Sequence, residues 1–294
     1  MRKDPFFPRS ESFLEVNVSP FDDDEDLIAG MTTRRNGNSR HSFHSLNMAY
    51  YTGDDPAAVS ANRQAIADQI GPGFSHWVEA EQVHGDHIIE MSSTNILNET
   101  PLEADGMYTR ERGILLTSYY ADCVPLFFYS PLTRYVGLAH AGWKGTSLDI
   151  GGKLVKEWIY KKEVPVGDIV AVIGPSISQA RYEVDERVIH RMDMICPKEK
   201  PKPWYTSKKG HYQLNLKQMN ALLLEKAGLP LENIFISKHC TYIEDNLFFS
   251  HRRDQGTTGR MMTCIGIKND GTKESTGGKH GDNCRKFSRH SRNN

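Results

Sequence analysis

The sequence predicts a fold that mixes strands with helices, and three observations carry it. Short apolar runs recur along the whole chain, at 114–120, 124–129, 168–173 and 261–267. Two stretches carry helix-start signals. Asp54-Asp55-Pro56 offers an acidic cap with Pro at the first helical position, and Asn215 precedes the amphipathic set Leu216, Met219, Leu222 and Leu223. The third observation is the stretch 121–146, ADCVPLFFYSPLTRYVGLAHAGWKGT, which reads as strand, turn, strand and a glycine-punctuated entry into a helix.

The totals narrow the class. A length of 294 residues fits one large domain or two small ones, and 38% hydrophobic with 25% charged residues suits a soluble chain with a substantial core. A net charge of −1 gives no global reason to expect nucleic acid. No apolar run approaches the roughly 18 residues of a membrane span, and no signal peptide is visible at the Asp-rich N-terminus. Five cysteines, widely spaced and without a CxxC, argue against a disulfide framework and point to the cytoplasm.

In chain order, residues 1–26 read as an irregular segment ending in the acidic run Asp22-Asp23-Asp24-Glu25-Asp26. A strand is expected at 27–31, leading into a turn at Thr32-Thr33-Arg34-Arg35-Asn36-Gly37 and on through His44-Ser45-Leu46-Asn47. The helix that starts at Pro56 gathers Val59, Arg63, Ile66 and Ile70 on one face and stops at Gly71-Pro72-Gly73. Residues 76–90 read as strand, polar turn, strand, and Ala104-Asp105-Gly106-Met107 as a turn before the strand at 114–120. After residue 146 a helix is expected with Thr146 or Ser147 as its cap and Leu148, Val155, Trp158 and Ile159 on its buried face. Residues 183–196 read as helix, 198–209 as a charged loop, 234–239 as a strand, and 269–294 as a disordered basic tail.

The chemistry concentrates on the central stretch. If the runs 124–129 and 134–139 pair about the turn Ser130-Pro131-Leu132-Thr133, Cys123 faces His140. Opposed residues share a face with Cβ atoms roughly 4.5–5.5 Å apart, which suits two ligands of one metal. Zinc accepts thiolate and imidazole, and a catalytic zinc takes three protein ligands, so a third is required. His84, beside Gly85 in the turn Gln82-Val83-His84-Gly85-Asp86, is the candidate, with His87 as its competitor. The bland alternatives stay open: Cys123 as a small core residue, His84 as a surface histidine, and a one-residue slip that parts the pair. Asp122 could orient a ligand, bind a hydroxyl group or cap a turn. Lys144 before a helix start suggests an anion site, although the GxxxxGK[ST] spacing of a Walker loop is absent. The segment FFSHRRDQGTTGR, 248–260, brings Arg252, Arg253, Asp254 and Arg260 together, either as a solvated face or as a site for an anionic or hydroxylated ligand.

Taken together, QVHGDHI, ADGMYT, ADCVPLFFY, GLAHAGWKGT, IGPSI, HCTY and FFSHRRDQGTTGR closely resemble the bacterial laccase-domain family, over about residues 28–268. That family has been called multicopper polyphenol oxidase and is now regarded as zinc-dependent purine nucleoside phosphorylases. The resemblance implies an α+β fold, with mixed sheets layered with helices (α/β/β/α) in a single catalytic domain at 27–268. It implies a metal held by His84, Cys123 and His140, with Cys123, His140 and Asp122 as catalytic residues. Substrate and phosphate contacts are expected from Arg34, Asn47, Lys144, Arg253 and Arg260. The implied activity is phosphorolysis of adenosine, inosine, guanosine and methylthioadenosine, with adenosine deamination beside it. Zinc is the expected cofactor and copper the alternative; purine nucleosides and phosphate are the expected partners, with no nucleic acid and no membrane. One departure is the turn after Thr33, where the family usually shows Gly-Gly-Val-Ser and this chain has Arg35-Asn36-Gly37-Asn38-Ser39. Two rivals stand beside this reading: a copper oxidase of phenols, and a metal-free cysteine hydrolase with Cys123 as nucleophile and His140 as base.

Overall fold

The computed structural model describes residues 3–96 and 102–270, so the tail expected at 269–294 lies, beyond residue 270, outside the described residues. In chain order its strands and helices are β1 (Phe6–Pro8), β2 (Phe13–Val16), β3 (Leu27–Thr32), α1 (Pro56–Ile70), β4 (His76–Glu79), β5 (Ile88–Glu90), β6 (Gly106–Thr109), β7 (Ile114–Tyr120), β8 (Val124–Ser130) and β9 (Tyr135–Ala141). There follow α2 (Trp143–Ser147), α3 (Ile150–Lys161), β10 (Val170–Ile173), β11 (Glu183–Asp185), α4 (Glu186–Ile195), β12 (Trp204–Lys208), β13 (His211–Leu214), α5 (Leu216–Lys226), β14 (Ile234–Ile236) and β15 (Met261–Ile267).

The strands form two mixed six-stranded sheets, ordered β1-β2-β3-β15-β7-β4 and β14-β10-β8-β9-β6-β5, and a small ribbon β11-β13-β12. The alternation of β8 shows how they stack. Phe127 and Tyr129 pack toward the first sheet with Met31, Leu116 and Ile265, while Leu126 and Phe128 pack against Leu154 and Trp158 of α3 and Leu224 of α5. Both faces of β8 are therefore buried, which is why it reads as an unbroken apolar run. On the far side of the first sheet, Ile66 and Ile70 of α1 cover Ile28, Leu115 and Met262. The layers run helix, sheet, sheet, helices, the α+β arrangement implied by the family resemblance.

The helix ends follow the sequence signals where a cap is local. Asp55 accepts from the Ala57 N–H at 3.0 Å with Pro56 at the first position, and Asn215 accepts from the Gln218 N–H at 3.0 Å. Five expectations need correction. Residues 183–185, expected as the start of a helix, form β11 against β13, and α4 begins at Glu186. Residues 6–8 and 13–16 are strands, because Phe6, Phe13, Leu14 and Val16 bury themselves against β3 and its neighbours. Residues 204–208, expected as loop, form β12 of the ribbon, closed by Gly210 at φ 75°. The turn expected at 104–107 is the entry to β6. The helix after residue 146 begins only at Ile150, capped by Asp149 in the left-handed region, whose carboxylate accepts from the Gly152 N–H at 3.2 Å. Thr146 and Ser147 spend their hydroxyls on the carbonyls of Ala141 and Lys144, and Leu148 is 38% exposed. Ile150 and Leu154 take the buried positions beside Val155 and Trp158.

Candidate metal centre

The β8–β9 hairpin is two residues out of the expected register. Val124 pairs with Ala141 and Pro125 with His140, so Cys123 falls opposite Gly142 rather than His140. The cause lies in the turn. Ser130 pairs with Tyr135, where the expected register set it opposite Thr133, because the chain reverses through 131–134, with Arg134 at φ 61° donating its N–H to the Ser130 carbonyl at 2.8 Å. A shift of two preserves the face, since side chains alternate with period two. Cys123 and His140 remain neighbours, now on a diagonal.

His84 joins them. The Sγ of Cys123 and the ring nitrogens of His84 and His140 offer donor atoms within 4.8 Å of one another, and the two imidazoles meet edge to face with centroids 4.8 Å apart. His140 is buried, Cys123 half-buried and His84 exposed, so the set opens toward solvent on the His84 side. Gly142 makes room for it: a Cβ there would lie 2.9 Å from the Cys123 sulfur and 3.3 Å from the His84 ring. His87, the competing candidate, turns its Nδ1 to the Glu103 carbonyl at 2.9 Å.

A residue that the sequence reading passed over as a turn residue holds this arrangement together. Asp105 is fully enclosed, with 0% of its side chain exposed. Its Oδ1 meets His140 Nδ1 at 2.7 Å and accepts from the His84 N–H at 3.1 Å. Its Oδ2 accepts from the N–H groups of Gly85 at 2.6 Å and Val83 at 3.2 Å, while its carbonyl accepts from the His140 N–H at 2.7 Å. Those bonds hold His84 at φ 60° in the left-handed region, strain that surrounding contacts must impose. With Nδ1 engaged by a carboxylate, His140 presents Nε2 to a metal, the carboxylate–histidine arrangement common around zinc. The only local hint in the sequence was an Asp beside a Gly at a strand entry.

The charges agree with the geometry. Burial alone would push the Cys123 thiol up, but the charge of His140 and hydrogen bonds from His140 and His84 outweigh it and bring the thiol down to about 6. Burial likewise disfavours a charged His140, yet the Cys123 thiolate and the Asp105 hydrogen bond raise it to about 9. The Asp105 carboxyl is held below its ordinary value, hydrogen bonds and charge from His140 prevailing over burial. One sulfur and two imidazole nitrogens with an open side fit zinc, and the same donor types accept copper.

The other expected site residues divide into two groups. Asp122, at φ 84°, accepts from the hydroxyls of Thr241 (2.6 Å) and Ser250 (3.0 Å) and from the Arg252 N–H (2.7 Å). Its carboxylate ties the 241–252 loop to the residue beside Cys123. Arg34 donates to the carbonyls of His44 and Asp245 and lies over Phe249 at 4.5 Å. Asn47 is buried, bonded to Ala49, Thr52, Asp54 and the Arg260 N–H. Arg253 spends its guanidinium on Asp254 and on the carbonyls of Thr241 and Phe248. These four residues build walls. Lys144 is exposed, and Arg260, half-buried, donates from one guanidinium nitrogen to the carbonyls of Thr258 (2.8 Å) and Gly259 (3.0 Å) and lies 6.0 Å from the ring of Tyr51, itself 63% exposed. The helix start expected to accompany Lys144 is a single five-residue turn without a side-chain cap, so no long helix adds its dipole there. Gly37 answers the family departure at 35–39: a Cβ there would sit 2.1 Å from the Ser45 carbonyl.

Residues 28–268 match the family described as multi-copper polyphenol oxidoreductase laccase. The chain belongs to that family. It is 40% identical over 275 residues to the purine nucleoside phosphorylase YlmD of Geobacillus stearothermophilus, covering 92% of this chain and 99% of that protein. With the protein of the same name from Bacillus subtilis (strain 168) the identity is 44% over 250 residues, 83% of this chain and 90% of that one. The crystal structure of YlmD from Geobacillus stearothermophilus superposes with a TM-score of 0.87, covering 91% of this chain and all of that one. The Geobacillus protein shares the layered fold in which the His–Cys–His group of this chain is set. Among the described residues, no helix is long and apolar enough to cross a membrane.

Proposed function

We propose that this chain is a zinc-dependent purine nucleoside phosphorylase that takes adenosine, inosine, guanosine and methylthioadenosine, and that it also deaminates adenosine. The observation that carries the reading is the open His84–Cys123–His140 set, in a chain 40–44% identical to relatives named purine nucleoside phosphorylase. A zinc ion held there would supply Lewis-acid activation of a water, lowering its pKa toward neutrality.

The chain's own residues supply the rest. In phosphorolysis a phosphate oxygen bonds to ribose C1′ as the C1′–N9 bond breaks, and the purine leaves with the bonding pair and takes up a proton. Lys144 and Arg260 offset the phosphate charge, while Asp105 keeps the His140 ring fixed as the substrate enters. In deamination a water adds at C6 of adenine and ammonia departs. Arg34, Asn47, Asp122 and Arg253 act by shaping the loops, since their polar atoms are bonded within the protein.

A copper-dependent polyphenol oxidase is the second reading, favoured by the family's description. Against a multicopper centre, His84, Cys123 and His140 form the single group of three or more metal-ligating side chains among the described residues. The low Cys123 thiol beside a raised His140 also suits a metal-free cysteine hydrolase. Metal analysis together with mass-spectrometric product analysis of adenosine, with and without phosphate, separates these readings. Inosine alone without phosphate, joined by adenine, hypoxanthine and ribose 1-phosphate once phosphate is added, is the expected result. Absence of ribose 1-phosphate would refute phosphorolysis.

A further inference from the structure

Three cations surround one indole next to the metal centre. Lys144 Nζ lies 5.9 Å from the Trp143 ring centroid, Arg187 Cζ 5.6 Å and Arg191 Cζ 5.9 Å. The three cations are exposed and the ring is half-buried. Arg187 and Arg191 stand one turn apart on α4, so two like charges share a face, an arrangement that weakens a helix. Arg187 also occupies the first turn, where the helix dipole disfavours a cation. Among the described residues, the single carboxylate within 4.0 Å of any of these three cations is Asp185, 3.9 Å from Arg187. Its other oxygen caps α4 by accepting from the Val188 N–H at 3.0 Å. One carboxylate at 3.9 Å does not balance three cations, and a bound anion would.

The location gives the group a purpose. Trp143 follows Gly142, the residue that faces the Cys123 sulfur. Tyr182, just ahead of α4, has its phenol pushed up by burial and then by the Cys123 charge, and it carries the Arg252 guanidinium 5.2 Å over its ring. Tyr182 and Trp143 both pack against the apolar cluster that contains Val188, Ile189 and Met192 of α4. Guanidinium groups present planar forks of donors that match a tetrahedral phosphate, and an aromatic face holds them in place before the ligand arrives.

We infer that Trp143, Lys144, Arg187 and Arg191 form a phosphate-binding subsite beside the metal centre, taking either orthophosphate or the phosphate group of a nucleotide. Its use as the co-substrate site rests on the phosphorylase reading; the subsite itself rests on three cations gathered around one indole with a single carboxylate in reach. The test uses the full-length metal-loaded protein, titrated calorimetrically with orthophosphate and separately with adenosine 5′-monophosphate at about 150 mM KCl, where long-range attraction is screened. Arg187→Gln/Arg191→Gln and Arg187→Lys/Arg191→Lys are compared with the parent. Both pairs are exposed, so folding is not at risk. The Gln pair should weaken anion binding at least about tenfold, with partial recovery in the Lys pair because charge without the planar fork is restored. Phosphorolysis should show the phosphate KM rising by a similar factor while the nucleoside KM moves less than about twofold. Arginine-dependent binding of adenosine 5′-monophosphate without orthophosphate binding would support the subsite and assign its phosphate to a nucleotide. Equal affinities in parent and Gln pair would overturn it. Arginine-dependent binding in a protein that performs no phosphorolysis would keep the subsite and refute the enzyme reading, so the two failures are distinguishable.

Discussion

A buried carboxylate that accepts from one imidazole and three backbone N–H groups cannot be altered at a single contact. Asp105→Asn keeps the volume of the side chain but replaces one acceptor oxygen by a donor, and it removes the charge opposite His140. Such partners of ligating residues typically contribute about 10–100-fold to metal affinity. The variant should therefore lose zinc affinity by that range in a chelator competition while its far-ultraviolet circular dichroism stays that of the parent. An unchanged affinity would remove Asp105 from the site. Gly142 makes a second residue-scale prediction. The Cys123 sulfur and the His84 ring crowd its missing Cβ, and the latter two must also converge on the metal. Gly142→Ala should lower the metal stoichiometry measured after dialysis well below that of the parent, and full occupancy would show that the loop yields without cost.

At the scale of elements, α5 carries an unusual charge. Lys217 is buried, its Nζ donating to the carbonyls of Ser237 at 2.7 Å and His239 at 2.8 Å, and burial pulls its pKa down to about 8 from an ordinary 10.5. Between those values the unfolded chain holds a proton that the folded chain has released. Unfolding then takes up a proton, so stability rises with pH from about 8 toward 10.5 and is flat with respect to this group below 8. Denaturant titrations across that window should show the rise in the parent and not in Lys217→Met; an identical rise in both would place its origin elsewhere. The same helix shows what was legible in the sequence. Its Asn215 cap and apolar face involve residues a few positions apart, and those signals survive into the structure, as do Asp55 and Pro56 of α1. What depends on partners distant in sequence did not show. The strands of residues 6–16 exist because β3 lies beside them, and Asp105 matters because residues 83–85 and 140 come to it through space. The hairpin falls between these cases: the face of Cys123 and His140 was readable from the alternation. The two-residue shift was not, since it is set by Arg134 closing the turn in the left-handed region.

For the whole molecule, the informative fact is where the ligand-bearing segments lie in the two sheets. His84 sits between β4 of the first sheet and β5 of the second, Cys123 between β7 of the first and β8 of the second, and His140 near the end of β9 in the second. Two of the three proposed ligands therefore occupy links that cross from one layer to the other, and a metal bound by all three would cross-link the layers at one end. Because the set is assembled only in the folded chain, metal binding should appear as folding stability. A ligand present at about 1,000 times its dissociation constant adds about 4 kcal/mol, provided the unfolded chain does not bind it. For a domain of this size each kcal/mol moves the midpoint by roughly 2–4 °C. Stripping the metal with a chelator should accordingly lower Tm by roughly 10 °C, and returning zinc should restore it. Cys123→Ala, which removes the sulfur but leaves the sheets intact, should start near the stripped value and respond little to chelator or zinc. A parent protein whose Tm ignores the chelator while it loses its metal would mean that the layers are held by their apolar contacts alone. The centre would then be a site placed on the fold without helping to hold it. If Cys123→Ala recovers the full zinc response, the sulfur is not a ligand, and the centre must be rebuilt from His84, His140 and another donor.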